Sequence, residues 1–234
     1  MMPLSHVPVA PGHQTLNLQD GPATQTRDRI LNATFRRLTD EGYAALSVRE
    51  IARDAGVNHA LINYHFGSKD QLVIDVLDAV NERLLSRQTS MYESGDGFAQ
   101  KWANARRFYE DDLASGFVRL QAELWAASLS NGDLREKFVP RLLAWKKLVL
   151  GAVREAFVSL EASGTKLPPP FTPDIVACWI SQFWLGMEFA DLLGPEEEAS
   201  KHAAALDAIE WLLKSLDAKI VERAKNSART RKRT

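Results

Sequence analysis

The fold of this chain is decided by residues 47–72, which read SVREIARDAGVNHALINYHFGSKDQL. Ser47 followed three residues later by Glu50 has the pattern of a capping box, which predicts the start of a short helix. Gly56 then supplies the positive φ that a sharp turn usually needs. Asn58 is a favourable N-cap, so a second short helix is expected directly after the turn.

A third helix is predicted to follow almost at once. The second helix is expected to end near His65, before the break at Phe66-Gly67, and Ser68 to Gln71 forms another capping box. Two short helices around a tight turn, followed by a long helix, make the helix-turn-helix arrangement. That arrangement supports its second short helix so that the helix can enter a major groove of DNA.

Several side chains in this segment carry groups that suit DNA. Base edges could be met by hydrogen bonds from three residues and by a methyl contact from a fourth: Asn58, His59, Asn63 and Ala60. Donors suited to phosphate oxygens are Tyr64, His65 and Lys69. Residues 26–87 hold nine basic and nine acidic side chains, so binding would depend on a few placed donors, not on a broad basic surface.

These residues resemble the DNA-binding segment of the TetR family of bacterial transcriptional regulators. Several landmarks of residues 47–72 stand in register: Ile51-Ala52, Ala55-Gly56-Val57, Tyr64-His65-Phe66, Lys69 and Leu72. Upstream, residues 29–43 (RILNATFRRLTDEGY) resemble the first helix of that family. The resemblance covers residues 26 to about 85, and beyond them only a helical pattern remains.

The resemblance implies a three-helix DNA-binding domain joined to a variable helical domain that binds a small molecule and dimerises. The positions that correspond to base-edge contacts are Arg49, His59, Ala60 and Asn63. Those expected at the phosphate backbone are Ser47, Asn58, Tyr64, His65 and Lys69. Many members have tyrosine where this chain has Asn63, whose shorter amide either reads adenine or contacts phosphate; both roles stay open.

The rest of the chain predicts an all-α protein of about nine helices. Helical periodicity recurs at about 98–114, 116–130, 133–160 and 173–193, and ends with a seam of apolar residues between 206 and 220. We expect four regions, a flexible leader (1–24), a helix-turn-helix domain (25–71), a helical ligand-binding and dimerisation domain (72–224) and a basic tail (225–234). Residues 219–234 carry seven basic side chains and one acidic one, and a solvated, mobile terminus is expected there.

A small-molecule pocket is predicted among the aromatic residues that follow residue 98. Most of those aromatics would pack a core, so polar residues within apolar helices are the better indicators, and we select Gln121, Trp125, Gln182 and Glu188. A buried glutamate needs a partner. Either an internal arginine or a cationic ligand would serve.

A homodimer is predicted from the apolar character of the last two long helices. The helix at 173–193 is apolar nearly all round, and the helix near 200–222 has an apolar seam. Each therefore has apolar surface for its own core and for a second protomer. We expect a four-helix bundle with two helices from each chain.

Other classes of protein find little support in the sequence. The five histidines show no metal-ligand spacing, there is no phosphate-binding glycine loop, and we expect neither an enzyme nor a cofactor. The single Cys178 suits a reducing compartment, and no signal peptide or membrane span is expected, because 175–193 contains Gln182, Glu188 and Asp191. We therefore expect a cytoplasmic, ligand-responsive regulator, most simply a repressor released from a palindromic double-stranded operator by a small-molecule effector. Two alternatives are a regulator that answers to a protein partner or activates without a ligand, and an enzyme with its site in the C-terminal region.

Overall fold

The computed structural model describes residues 22–194 and 196–231, and within these ranges the chain forms nine α-helices and no strand. The helices are α1 (Pro22–Asp40), α2 (Val48–Ala55), α3 (His59–Phe66), α4 (Lys69–Glu93), α5 (Phe98–Ser115), α6 (Phe117–Ser130), α7 (Gly132–Ala162), α8 (Pro173–Leu193) and α9 (Glu196–Arg231). This confirms the predicted all-α class. Residues 1–21 of the predicted leader lie outside the described residues, and α1 begins at Pro22, inside the range expected to be leader.

The helix starts follow the predicted caps with one exception. Asn58 accepts a hydrogen bond from the backbone N–H of Ala60, and Ser68 accepts one from Gln71. Ser47 makes no such bond with its side chain, so the predicted capping box at α2 is wrong. Glu50, the other residue of the predicted capping box, forms an ion pair with Arg37.

One continuous core joins the N-terminal helices to the rest of the chain. We call α1–α3 the head and α5–α9 the body; α4 contributes to both. Leu72, Val73, Ile74 and Val76 of α4 are fully buried, in the same cluster as head residues such as Ile62 and body residues of α6 and α7. The predicted boundary between residues 71 and 72 therefore falls inside a packed core.

The last helix is longer than predicted. The sequence predicts a helix near 200–222, whereas α9 runs through 36 residues to Arg231 and includes part of the predicted basic tail. No glycine or proline interrupts residues 196–231, and alanine, lysine and arginine are strong helix formers. Residues 232–234 of the predicted tail lie outside the described residues. Among the helices described, none has a stretch long and apolar enough to cross a bilayer.

The head is fixed by an ion cluster centred on Arg37 of α1. Its side chain is only 10% exposed and its Nε atom lies 2.5 Å from Oδ2 of Asp54. The Nη1 atom lies 2.9 Å from carboxylate oxygens of both Glu41 and Glu50. The hydrogen bond from Arg37 lowers the pKa of Asp54. One guanidinium thus ties α2 to α1 and compensates three carboxylates.

We expect Arg37→Met to destabilise the protein by about 1–3 kcal/mol, because three carboxylates would lose their shared cation while a partly buried group is removed. Arg53→Met is the matched control, since Arg53 is largely exposed and pairs only at longer range. Its cost should stay below about 0.5 kcal/mol. Urea unfolding followed by circular dichroism measures both, and equal costs would contradict the assigned role of Arg37.

Candidate nucleic-acid interface

The second helix of the helix-turn-helix, α3, buries one side and exposes the other. Ile62 and Phe66 are buried in the core, at positions four residues apart on one face. The opposite side is open to solvent, with Leu61 partly exposed and Tyr64 82% exposed. The helix is therefore a ridge that presents its outer face to a binding partner.

The turn between α2 and α3 is held by Arg29, a residue that sequence reasoning did not select. Arg29 donates from Nε and Nη2 to the carbonyl oxygen of Ala55, at 2.8 and 2.5 Å, and from Nη2 to that of Gly56, at 2.6 Å. These carbonyls end α2 and lack partners within the helix. Gly56 adopts a φ of 63°, and a Cβ atom there would lie 3.1 Å from Arg29 Nη2. Arg29 therefore fixes the angle between the two short helices.

The residues predicted at base edges are all exposed. Arg49 lies in the first turn of α2, and His59, Ala60 and Asn63 lie on α3. The same helix also exposes Leu61, which was not among the residues predicted from the sequence. An exposed leucine beside Ala60 adds an apolar group of the kind that contacts thymine methyls.

The residues predicted to contact phosphates differ in their exposure to solvent. Tyr64 and Asn58 are exposed, whereas Ser47, His65 and Lys69 are half-buried. The ring of His65 lies 5.2 Å from that of Tyr64. Asn58 uses its Oδ1 atom for the cap and keeps its amide N–H groups as donors.

Lys69 is directed toward Tyr43. Its Nζ atom lies 4.2 Å from the centre of the Tyr43 ring and 3.5 Å from the Tyr43 carbonyl oxygen. A cation over an aromatic face is attracted by the ring. A phosphate contact by Lys69 would therefore compete with, or be added to, this contact.

A polar network joins the head to the body beside Tyr43. The Tyr43 hydroxyl donates to Oδ1 of Asp70 at 2.5 Å, and Asn131, at the end of α6, donates from Nδ2 to Oδ2 of Asp70 at 2.9 Å. Burial and the hydrogen bond to Asp70 raise the pKa of Tyr43 to about 12. Burial works against ionisation of Asp70, but the two hydrogen bonds outweigh it and its pKa is lowered.

A second contact between α6 and this region is made at the backbone of Tyr43. Glu123 accepts a hydrogen bond from the backbone N–H of Tyr43 at 2.9 Å. Gly42 has a φ of 83°, and a Cβ atom at that position would lie 2.8 Å from Glu123 Oε2. Glycine thus allows α6 to approach the end of α1. Sequence separations of 61 to 88 residues hide this network from any local pattern.

Two neighbouring cavities lie in the body. The larger, of about 500 Å³, is lined mainly by apolar and aromatic side chains of α4, α5, α7, α8 and α9. The smaller, of about 40 Å³, is lined by residues of α4, α5, α6, α7 and α8, including Gln121 and Glu188. Gln88, Trp145 and Trp184 line both. We call the larger cavity the groove and the smaller one the chamber.

The four predicted pocket residues are not brought together. Gln121 and Glu188 line the chamber, whereas Trp125 lines neither cavity and packs against the rings of Phe138 and Phe189. Gln182 is exposed on α8 because it faces away from the core on which Ser181 and Leu185 pack.

Glu188 is buried, as predicted, with an exposed fraction of 4%. Burial raises its pKa to about 8, the nearby Asp112 adds to this effect, and a hydrogen bond from Trp184 opposes it. Of the two partners that the sequence left open, an internal arginine does not pair with Glu188 among the described residues. Arg87 forms an ion pair with Asp112, whose own pKa burial raises to about 6, and Arg141 forms hydrogen bonds with Asp78.

Large apolar side chains remain exposed on α8 and α9. On α8 they include Trp179, Phe183 and Leu193, and on α9 Trp211, which is 68% exposed, and Leu212. Scattered exposed leucines are ordinary, but several large apolar groups exposed on two helices that contact each other are of the kind that proteins cover, and we refer to them together as the apolar patch. The patch lies on the two helices for which the sequence predicts dimerisation.

The exposed α3 ridge and its braced turn define a helix-turn-helix protein. Residues 30–76 match the family model described as bacterial regulatory proteins, tetR family. Over 55 residues the chain is 47% identical to the HTH-type transcriptional repressor Rv3405c of Mycobacterium tuberculosis, a match that covers 24% of this chain and 29% of that relative. The chain thus matches less than a third of the length of this curated relative.

Solved structures extend the likeness of fold to most of the chain. The transcriptional regulator FadR of Bacillus subtilis, in complex with stearoyl-CoA, superposes with a TM-score of 0.64 at 18% identity, covering 79% of this chain and 96% of that one. A transcriptional regulator of Saccharomonospora viridis, in complex with choline, superposes with a TM-score of 0.61 at 20% identity, covering 82% and 95%. The family match itself is confined to residues 30–76, and these structures show that most of the chain shares their fold.

We expect Glu188→Gln to stabilise the protein at alkaline pH. Since the pKa of Glu188 is raised from 4.5 to about 8 in the folded state, only the unfolded chain ionises freely between these values. The free energy of unfolding therefore falls as the pH rises through that window, by up to about 1.4 kcal/mol per unit of pKa shift. The variant, which cannot ionise, should exceed the wild-type melting temperature at pH 9 and differ little at pH 4.5.

Asp174→Asn is the control for this experiment. It makes the same change in charge on the same helix, at an exposed position whose partner among the described residues is the exposed Arg154. Thermal unfolding across pH 4.5–9 should leave this control parallel to the wild type. A Glu188→Gln curve parallel to the wild type would mean that Glu188 is not desolvated.

Proposed function

We propose that the protein is a homodimeric, DNA-binding transcriptional repressor that a small molecule releases from a palindromic operator. The observation that carries the proposal is the exposed face of α3, on which base-reading groups and a protruding tyrosine stand together on a helix braced from behind. A face of this kind fits a major groove. A regulator that binds chromosomal DNA would act in the cytoplasm.

Sequence reading is assigned to Arg49, His59, Ala60 and Asn63, which are all exposed. Backbone contacts are assigned to Ser47, Asn58, Tyr64, His65 and Lys69. Leu61 joins the first group as an apolar contact. The N-termini of α2 and α3 add backbone N–H groups that favour phosphate oxygens.

A dimer is supported by the exposed apolar patch of α8 and α9. Two copies that pair these helices would bury tryptophans and leucines that a single chain leaves in water. A two-fold dimer carries two copies of α3 and therefore fits a palindrome with half-sites about one helical turn apart.

Release by a ligand is supported by the path of α6. Gln121 of α6 lines the chamber, Glu123 holds the backbone of Tyr43, and Asn131, just beyond the helix, holds Asp70. A ligand that moves α6 would therefore move contacts that position the head. Such a ligand acts only through its different affinity for the two arrangements. Relatives of this fold are named as a repressor and as complexes with choline and with stearoyl-CoA.

His59→Ala should relax sequence preference, whereas Tyr64→Phe and Lys69→Ala should weaken binding to all sequences alike. The first change removes a base-edge group worth about 1–3 kcal/mol of discrimination, and the others remove phosphate donors. Operator sequences are first selected from random duplex DNA, and binding to them and to single-base variants is then measured by fluorescence anisotropy at fixed salt.

Lys214→Ala is the control for these DNA measurements, because Lys214 is exposed on α9 and its partner among the described residues is Glu210 of its own helix. It should bind as the wild type does. Unchanged operator binding by the three head variants would refute the assignment of the interface, and failure to select any sequence would refute the proposed function.

Leu212→Asp should convert the dimer into a monomer, because it places a charge in the apolar patch. Light scattering at micromolar concentration should give twice 26.1 kDa for the wild type and 26.1 kDa for the variant. Leu129→Asp is the matched control, since Leu129 is also largely exposed but lies on α6. A monomeric wild type would exclude the dimer.

A further inference from the structure

The chamber contains a buried carboxyl group, that of Glu188, which pairs with no basic side chain among the described residues. Its nearest charged influence is another acid, Asp112. A buried carboxyl without a cation is costly unless it stays protonated or receives a partner from outside the fold.

A second acceptor in the same place also lacks a partner. Oε1 of Gln88 is buried and receives no hydrogen bond. Gln88 lines both the chamber and the groove, so its free acceptor lies at the junction of the two cavities. Buried acceptors without a partner are rare in folded proteins, and this oxygen is free to accept from a donor of a bound molecule. A carboxyl group and an amide oxygen both require a donor or a cation.

The basic residues around the two cavities are already engaged. Arg87 pairs with Asp112 through its Nη2 atom, although its buried Nε has no acceptor within the described part of the chain, and Arg141, in the wall of the chamber, forms two hydrogen bonds with Asp78. Lys101, in the wall of the groove, donates to the carbonyl oxygen of Tyr92. None of these basic side chains pairs with Glu188 among the described residues, so a cationic group suits this carboxyl and the Gln88 acceptor better than a carboxylate or a phosphate would.

The surrounding walls are aromatic. Trp145 and Trp184 line both cavities, and Phe117 and Phe138 add to the chamber. Aromatic faces attract cations, above all ammonium groups from which water has been removed. The chamber, at about 40 Å³, has room for a small head group, whereas the groove, at about 500 Å³, has room for an apolar body.

We propose that the body binds a small organic cation, with its ammonium group against Glu188 and Gln88 in the chamber and its apolar portion in the groove between Trp145 and Trp184. This inference rests on the proposed function only in assigning such a cation the role of effector. The site itself follows from the unpaired acceptors, the engaged basic residues and the aromatic walls.

Binding of the cation is coupled to loss of a proton. The pKa of Glu188 is about 8 in the empty site, so at pH 7 its carboxyl is mostly protonated. The ammonium ion displaces that proton to solvent and leaves a carboxylate–ammonium pair. The other charged groups facing this region are Asp112 of α5, Arg87 of α4, Arg141 of α7 and, through its hydroxyl, Tyr109 of α5. Arg87 and Arg141 stay charged throughout, so Glu188 and Asp112 are the groups that titrate.

The test is calorimetric titration of the full chain, without DNA, with hexyltrimethylammonium, 1-heptanol and heptanoate as probes. We expect the ammonium ion to bind at least tenfold more tightly than the alcohol or the acid. Repetition at pH 7 in buffers of different ionisation enthalpy should show release of nearly one proton. Between pH 6.5 and 8.5 the affinity for the ammonium probe should rise about twentyfold, as expected when a group of pKa near 8 must ionise.

Glu188→Gln should lose at least tenfold in affinity for the ammonium probe, release no proton and keep its affinity for 1-heptanol. Asp174→Asn, with the same change in charge on the surface of α8, should behave as the wild type does. Equal or tighter binding of heptanoate, unchanged binding by Glu188→Gln, or no binding of the ammonium probe would each overturn the proposal.

Operator binding by the same preparations separates this proposal from the proposed function. A protein that binds DNA but not the ammonium probe would retain the function and lose the cation site. A protein that binds the probe with proton release but selects no DNA sequence would retain the site and lose the function.

Discussion

The structure depends on holding an eight-residue helix in place. A helix as short as α3 is unstable by itself in water, because the cost of nucleation is shared among too few hydrogen bonds. Ile62 and Phe66 bury one side of it in the shared core, where it packs on α2 and α4; the Asn58 cap fixes its start, and Arg29 sets the turn before it. The buried side of α3 therefore determines how its exposed side is oriented. We expect substitutions in the core of the head to affect DNA binding as strongly as substitutions on its surface.

The same packing leaves the head and body without a flexible joint between them. Since α4 contributes to one core with both, rotation of the head must involve rearrangement of packed side chains. The hydrogen bonds that Asp70 and Tyr43 make with Asn131 and Glu123 add a polar connection at the end of α6. Gln121 brings the wall of the chamber onto that same helix. The chamber and the head thus both contact α6, so a change at either one can shift the position of this helix.

Much of this architecture could be predicted from local patterns. Caps at Asn58 and Ser68, the turn at Gly56 and helical periodicity give the elements and the open face of α3, because each depends on residues a few positions apart. Partners far apart in sequence could not be predicted, as with Tyr43 and Asn131. Local patterns also do not show which of several possible partners a side chain binds. Glu50 forms an ion pair with Arg37 and not the predicted capping bond, and Arg87 forms an ion pair with Asp112 and not with Glu188. A polar residue within an apolar helix does not always line a pocket, since Gln182 was predicted there and faces solvent.

If the chain dimerises through the apolar patch on α8 and α9, as proposed, its action depends on its concentration in the cell. If operator binding requires the dimer and dimerisation is incomplete, the amount of dimer grows with the square of the monomer concentration. Occupancy of an operator would then respond more steeply to synthesis and degradation of the chain than it would for a monomeric regulator. The tryptophans and leucines that each protomer leaves in water would, in this way, set a threshold in gene control.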